Sequence, residues 1–73
     1  MIQMTPYELQ TFKRVTETMH NTRGLRKLIP IQRRDDDTVI MIPAGPSPPK
    51  RYWEFHAVTR RMVSYRNQGV NYA

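Results

Sequence analysis

The strictly apolar run at residues 39–42, Val-Ile-Met-Ile, constrains the fold of this chain more than any other feature. Its β-branched residues favour a strand, in which successive side chains point to opposite faces. Both faces of this strand are therefore apolar. Since a helix covers only one face of a two-stranded ribbon, and an isolated ribbon is marginally stable in water, the other face needs a second helix or a partner.

The apolar run belongs to a predicted hairpin over residues 28–42. Residues 28–32 form its first strand, and Pro30, which lacks an amide proton, places that strand at a sheet edge. Residues 34–37 form the tip, where Asp35, Asp36 and Asp37 account for three of the six acidic residues. Aspartate caps nearby amides in turns, whereas three adjacent carboxylates diverge and do not converge on one metal ion.

The N-terminal segment predicts a helix over residues 6–21. Thr5 is the expected N-cap, Pro6 lies in the first turn, and Glu8 completes a capping box with Thr5. Asn21 or Gly24 is expected to close the helix, because both tolerate the left-handed conformation. Spacings of three and four predict an apolar stripe along the helix. Met4, before the N-cap, is placed for a hydrophobic staple with Leu9. The stripe comprises Leu9, Phe12, Val15 or Thr16, and Met19.

The C-terminal part has two interpretations. Residues 43–49 are rich in proline and predict a stiff extended connector. A stripe of Phe55, Val58, Met62 and Tyr65, with a stop at Gly69, then favours a helix over residues 50–68. Residues 53–57 also alternate, as a third strand would. The sequence thus predicts one α+β domain, residues 1–73, with a helix, a two-stranded hairpin and a C-terminal helix, or with a last segment that begins as a third strand.

Charge is the strongest indication of a partner. The 73 residues carry a net charge of +6 and no cysteine, so the core is small and no disulfide or cysteine-based zinc site supports it. Ten of the twelve cationic residues stand in doublets, which suits phosphates or an acidic protein face. Solubility alone also accounts for a charge of this size. The doublets are Lys13-Arg14, Arg26-Lys27, Arg33-Arg34, Lys50-Arg51 and Arg60-Arg61.

Enzymatic chemistry is not expected. Ser47 lies in the connector and Ser64 stands between Val63 and Tyr65, so neither has a recognisable base and orienting group. The three glycines are isolated and make no phosphate-binding loop. No cofactor or metal is predicted. The apolar runs are too short to span a membrane, and no secretory signal is recognisable. An intracellular or virion location is expected.

Two binding hypotheses fit these features. Residues 50–56 interleave cations with aromatic rings, so they would hold phosphates and stack on unpaired bases of a nucleic acid. A protein with an acidic surface is the other candidate partner, bound by strand addition at the Pro30 edge and by charge steering. The predicted partner-binding residues are Arg26, Lys27, Arg33, Arg34, Lys50, Arg51, Tyr52, Trp53, Arg60 and Arg61.

The length of the chain, its start TPYELQTFKRV, its short hairpin and its basic, cysteine-free composition resemble small bacteriophage transcription regulators of the Xanthomonas phage type, which bind host RNA polymerase. The resemblance implies a non-catalytic protein of the host cytoplasm that docks near the RNA exit channel. It would inhibit initiation by loosening the sigma factor and suppress termination together with a host elongation factor. Contact with nascent RNA would be secondary. A basic nucleic-acid-binding or virion assembly protein is the alternative.

Overall fold

The computed structural model describes residues 2–19, 24–25, 27–45 and 49–67. One helix precedes four strands: α1 (Pro6–Thr18), β1 (Leu28–Arg33), β2 (Thr38–Pro43), β3 (Arg51–His56) and β4 (Arg61–Arg66). The strands form a single antiparallel sheet in chain order, with β1 and β4 at its two edges. The expected two-stranded ribbon with a C-terminal helix over residues 50–68 is therefore wrong. No helix in the described part of the chain is long and apolar enough to cross a membrane.

Helix α1 begins as predicted. The Glu8 amide donates to Thr5 Oγ1 at 3.1 Å, and the Thr5 amide donates to Glu8 Oε1 at 2.8 Å. The helix ends at Thr18, and Met19 already has an extended backbone, so the predicted end at residue 21 is too late. Asn21 lies outside the described residues.

The buried face of α1 differs from the predicted stripe. Leu9 is 55% exposed, so the predicted staple with Met4 is not formed by a buried pair. Glu8 and Thr11 are buried, and Thr16, the predicted alternative to Val15, is fully buried while its hydroxyl donates to the Phe12 carbonyl at 2.9 Å within the helix. This internal hydrogen bond lets a polar side chain occupy a position facing the sheet. Val15 is buried as expected.

The first hairpin forms where it was predicted, with β1 and β2 joined at residues 34–37. Asp35 Oδ1 accepts from the amides of Asp37 and Thr38 at 2.9 and 2.8 Å. The acidic run thus stabilises a turn, and among the described residues no three His, Asp or Glu side chains are grouped to hold a metal. The β1–β2 register shifts between Pro30 and Gln32.

A second hairpin replaces the predicted C-terminal helix. Phe55 pairs with Val39 and Trp53 pairs with Met41, so β3 uses the alternation noted at residues 53–57, and the third-strand alternative is confirmed there. The turn at residues 57–60 contains no glycine or proline, and Arg60 adopts a left-handed φ of 57°. Because the turn lacks a sequence breaker, residues 50–68 appeared continuous and helical.

The main core lies between α1 and one face of the sheet. Val39, Met41 and Phe55 are at most 1% exposed, and the Phe12 ring meets Phe55 edge to face at a centroid distance of 5.5 Å. On the opposite face Ile40 is also fully buried. Its cross-strand neighbours are Gln32 on β1 and Glu54 on β3, and the chain buries this position without a C-terminal helix or a partner. This corrects the expectation that the second face needs a helix or a partner.

Candidate functional site

An open cleft lies at the end of the sheet where β3 begins and β4 ends. It has a volume of about 490 Å³ and is lined by Lys50, Arg51, Arg66 and Asn67. Arg51 and Arg66 are directly opposite each other in the β3–β4 register, so their side chains share one face. Like charges directly opposite across two strands are destabilising. A bound anion would offset this repulsion, and that makes the cleft a candidate anion site.

Hydrogen bonds fix the frame of the cleft. The Asn67 amide donates to the Lys50 carbonyl at 2.9 Å, and Asn67 Nδ2 donates to the Pro49 carbonyl at 2.8 Å. Arg51 Nε donates to Ser64 Oγ at 2.8 Å, which orients the guanidinium and leaves its terminal nitrogens without a hydrogen bond to any described residue. Arg51 and Arg66 are exposed, and neither forms an ion pair with another described residue.

The part of the chain that contains the cleft is predominantly basic. Residues 44–73 contain five cations and one acid, so they account for +4 of the net charge of +6. The acid is Glu54, which pairs with Arg34 through Oε2 and lies 3.3 Å from His56 Nε2 through Oε1. Its carboxylate is thus already engaged on the opposite face of the sheet and does not line the cleft.

The predicted Arg33-Arg34 doublet forms intramolecular ion pairs. Arg33 donates to both carboxylate oxygens of Glu8, at 2.7 and 2.9 Å, which ties β1 to α1. This hydrogen bond, opposed by burial and assisted by the Thr5 amide, lowers the pKa of Glu8 to about 2. The same pair raises the pKa of Arg33. Both arginines of the doublet therefore have carboxylate partners within the chain.

The remaining predicted site residues that the structure describes do not line the cleft. Tyr52 and Trp53 lie on opposite faces of β3: Trp53 packs against the main core, and Tyr52 stacks on Tyr65 with ring centroids 5.4 Å apart. Arg60 and Arg61 lie at the turn end of the hairpin, remote from the cleft. Arg60 lines a cavity of about 160 Å³ beside the end of α1. Lys27 is exposed, and Arg26 lies outside the described residues.

The sequence interpretation selected Lys50 and Arg51 but missed Arg66, Asn67 and the exposed ring of Tyr65. Arg66 is not part of a basic doublet, so the doublet criterion passed over it. Strand periodicity over residues 61–66, with pairing to residues 51–56, was the signal that would have placed Arg66 opposite Arg51. No protein-family model, curated protein or solved structure matches this chain.

Proposed function

We propose that this protein is a non-catalytic nucleic-acid-binding module whose cleft holds backbone phosphates. The observation that carries the proposal is the juxtaposition of Arg51 and Arg66, beside Lys50, with no acid among the described residues that line the cleft. Guanidinium groups bind phosphate oxygens through two parallel hydrogen bonds, and binding releases condensed counterions from the nucleic acid. A phosphate between the two arginines replaces a repulsive pair by two attractive ones.

Two further groups on the β3–β4 hairpin lie outside the cleft and could contact the same nucleic acid. Arg60 and Arg61 provide cations at the turn end, about 17 Å from Arg66 at roughly 3.3 Å per strand residue. Tyr65 is 39% exposed, and its ring is already held in a stack with Tyr52. A base that is not paired would stack on such a ring. Tyr65 and Arg61 lie on the face of β4 opposite the cleft, so a strand of several nucleotides that contacts all three groups passes around the β4 edge.

The test measures binding of labelled single-stranded RNA, single-stranded DNA and duplex DNA by fluorescence anisotropy over a series of salt concentrations. Replacing Arg51 and Arg66 by Gln is expected to weaken binding to all sequences. It should also reduce the slope of log K against log salt by about 1.4 on single strands, because two phosphate contacts are lost. The matched control, Lys13→Gln with Lys27→Gln, removes the same charge from exposed positions elsewhere.

The control variant distinguishes a specific phosphate site from binding that depends only on net charge. We expect the Lys13 and Lys27 variant to keep nearly all of the affinity and the slope of the parent protein. Equal losses in the two variants would show that only net charge matters, and absence of binding at low salt would reject the proposal. Stronger binding to single strands than to a duplex supports the role of Tyr65.

Regulation of host RNA polymerase is the second candidate function. The outer edge of β4, which no described strand covers, favours it because a protein partner can dock there. In this proposal the protein inhibits initiation and suppresses termination, together with an elongation factor and with contact to nascent RNA. Comigration with purified polymerase at moderate salt in the absence of nucleic acid supports it. Binding to oligonucleotides alone contradicts it.

A further inference from the structure

We propose that the outer edge of β4 accepts an extended acidic segment of another protein as an added strand, one end of which would meet Arg51 and Arg66, the arginines that also line the cleft. β4 is the last strand of the sheet and pairs with β3 alone among the described strands. An edge strand presents a row of unpaired backbone donors and acceptors. Strand addition uses these groups for affinity and the flanking side chains for specificity.

The backbone groups that face outward can be identified from one hydrogen bond. The Asn67 amide donates to the Lys50 carbonyl, so residues 50 and 67 are a hydrogen-bonded pair of the β3–β4 ladder. In an antiparallel pair, hydrogen-bonded and non-hydrogen-bonded positions alternate. The N–H and C=O groups of Met62, Ser64 and Arg66 therefore point away from β3.

The two edges of the sheet differ in how well they are protected. On β1, Pro30 has no N–H, the register shifts between Pro30 and Gln32, and the Pro30 carbonyl accepts from the Ile2 amide at 3.2 Å. Prolines, irregular registers and covering segments block strand addition. β4 contains no proline, and its register with β3 is regular along all six residues. The edge open to a partner is β4 and not the Pro30 edge that the sequence suggested.

The charges on β4 define the chemistry of the partner. Arg60 and Arg61 stand at one end and Arg66, with Arg51 opposite, at the other, while residues 62–65 are uncharged. A complementary strand has an uncharged centre and carboxylates at both ends. A second copy of this chain does not fit, because antiparallel pairing centred on β4 brings the Arg60 end of one copy beside Arg66 of the other.

The experiment is an NMR titration of the ¹⁵N-labelled full chain with two synthetic peptides. Both have a Thr-Val-Thr-Val centre, and one carries two acidic residues at each end whereas the other carries two lysines at each end. We expect the acidic peptide to shift the amide signals of Met62, Ser64 and Arg66 and to slow their exchange with solvent. The lysine peptide should bind at least about tenfold more weakly, since like charges then meet at both ends.

Two variants separate backbone pairing from side-chain effects. Ser64→Pro removes one outward N–H and leaves the inward ladder intact, whereas Ser64→Ala removes only the hydroxyl that accepts from Arg51. We expect Ser64→Pro to bind the acidic peptide about tenfold more weakly than Ser64→Ala, the effect of one lost hydrogen bond.

Several results would overturn the inference independently of the nucleic-acid experiment. Equal affinity for the two peptides excludes charge complementarity, and this comparison does not depend on any variant folding. Signal changes confined to α1 or β1 place the peptide elsewhere. Self-association of the free chain at the concentrations used, measured by analytical ultracentrifugation, assigns the edge to a second copy.

Discussion

Glu8 joins local helix formation to the tertiary structure. Its carboxylate accepts from the Thr5 amide at the start of α1 and from the guanidinium of Arg33 on β1. The side chain is 6% exposed, so removal of the carboxylate leaves Arg33 without its partner at the boundary of the core. A charge-assisted pair of this kind contributes more than a neutral hydrogen bond.

Glu8 predicts a specific acid sensitivity. Because the folded-state pKa of about 2 lies below the ordinary value of 4.5, its stabilisation is complete above pH 4.5 and is lost as the pH falls towards 2. Glu8→Gln should lower the free energy of unfolding at pH 7 by about 2 kcal/mol and flatten its pH dependence in this window. Urea denaturation at a series of pH values measures both effects. Glu17→Gln, exposed on the same helix, is the control and should retain the acid transition.

The hydrogen bonds of Asp35 predict that this residue contributes more to the free energy of unfolding than its neighbour Asp36 does. Its Oδ1 accepts from two backbone amides, which lowers its pKa, whereas Asp36 is exposed at the tip of the turn. Asp35→Ala should therefore lower the free energy of unfolding, because two backbone amides lose their acceptor. Asp36→Ala should change it by less than about 0.5 kcal/mol. Similar losses in chemical denaturation of the two variants would contradict the assigned turn.

At the scale of elements, the decisive feature is the turn between β3 and β4. Residues 57–60 reverse the chain without a glycine or proline, and the Arg60 amide donates to the Ala57 carbonyl at 3.3 Å. Arg60 accepts a left-handed backbone, in which its Cβ is crowded by the following carbonyl. The hairpin forms in spite of this local strain because Phe55 and Trp53 gain partners on β2.

The strain predicts a stabilising substitution. Arg60→Gly relieves the crowding at φ 57° and should raise the free energy of unfolding by about 0.5 kcal/mol, after the entropy of glycine in the unfolded chain is included. Thr59→Gly, at the neighbouring position without a positive φ, should lower it by a similar amount. Thermal unfolding of the two variants measures the difference, and a loss in both would mean that residue 60 is not left-handed in solution.

At the scale of the whole molecule, β2 is the centre of stability. It lies between β1 and β3, and five of its six residues are buried. α1 packs against one of its faces, and Ile40 on the other face is also fully buried. β4, by contrast, pairs only with β3 among the described strands, and all of its residues are exposed or half-buried. The sheet is therefore well buried at β2 and exposed along β4.

This difference in burial between β2 and β4 predicts the order in which their backbone amides exchange with solvent. The amides of β2 that bond to β1 or β3 should exchange with solvent only on global unfolding. The amides of Met62 and Ser64, which point outward from β4, should exchange at nearly unprotected rates. Hydrogen exchange followed by NMR on the free chain measures both sets. Protection of Met62 and Ser64 as strong as that of β2 would mean that the β4 edge is already covered in solution.

The sequence by itself determined the features that depend on neighbouring residues. The capping box at Thr5 and Glu8, the Asp35 turn and the strands on either side of it each rest on contacts within a few positions. It also predicted a basic binding surface that includes Lys50 and Arg51, which line the observed cleft. The partner itself stays a prediction.

Only the tertiary structure decided the conformation of residues 50–67. It also decided which arginines pair with a carboxylate and which line the cleft. A segment with both helical and alternating patterns becomes a strand when a fully apolar neighbour such as β2 offers cross-strand partners. Pairing across β3 and β4 then placed Arg66 opposite Arg51, and packing of α1 placed Glu8 against Arg33. These contacts join residues 15 and 25 positions apart. Local sequence patterns do not encode such contacts, because they arise only when distant elements come together.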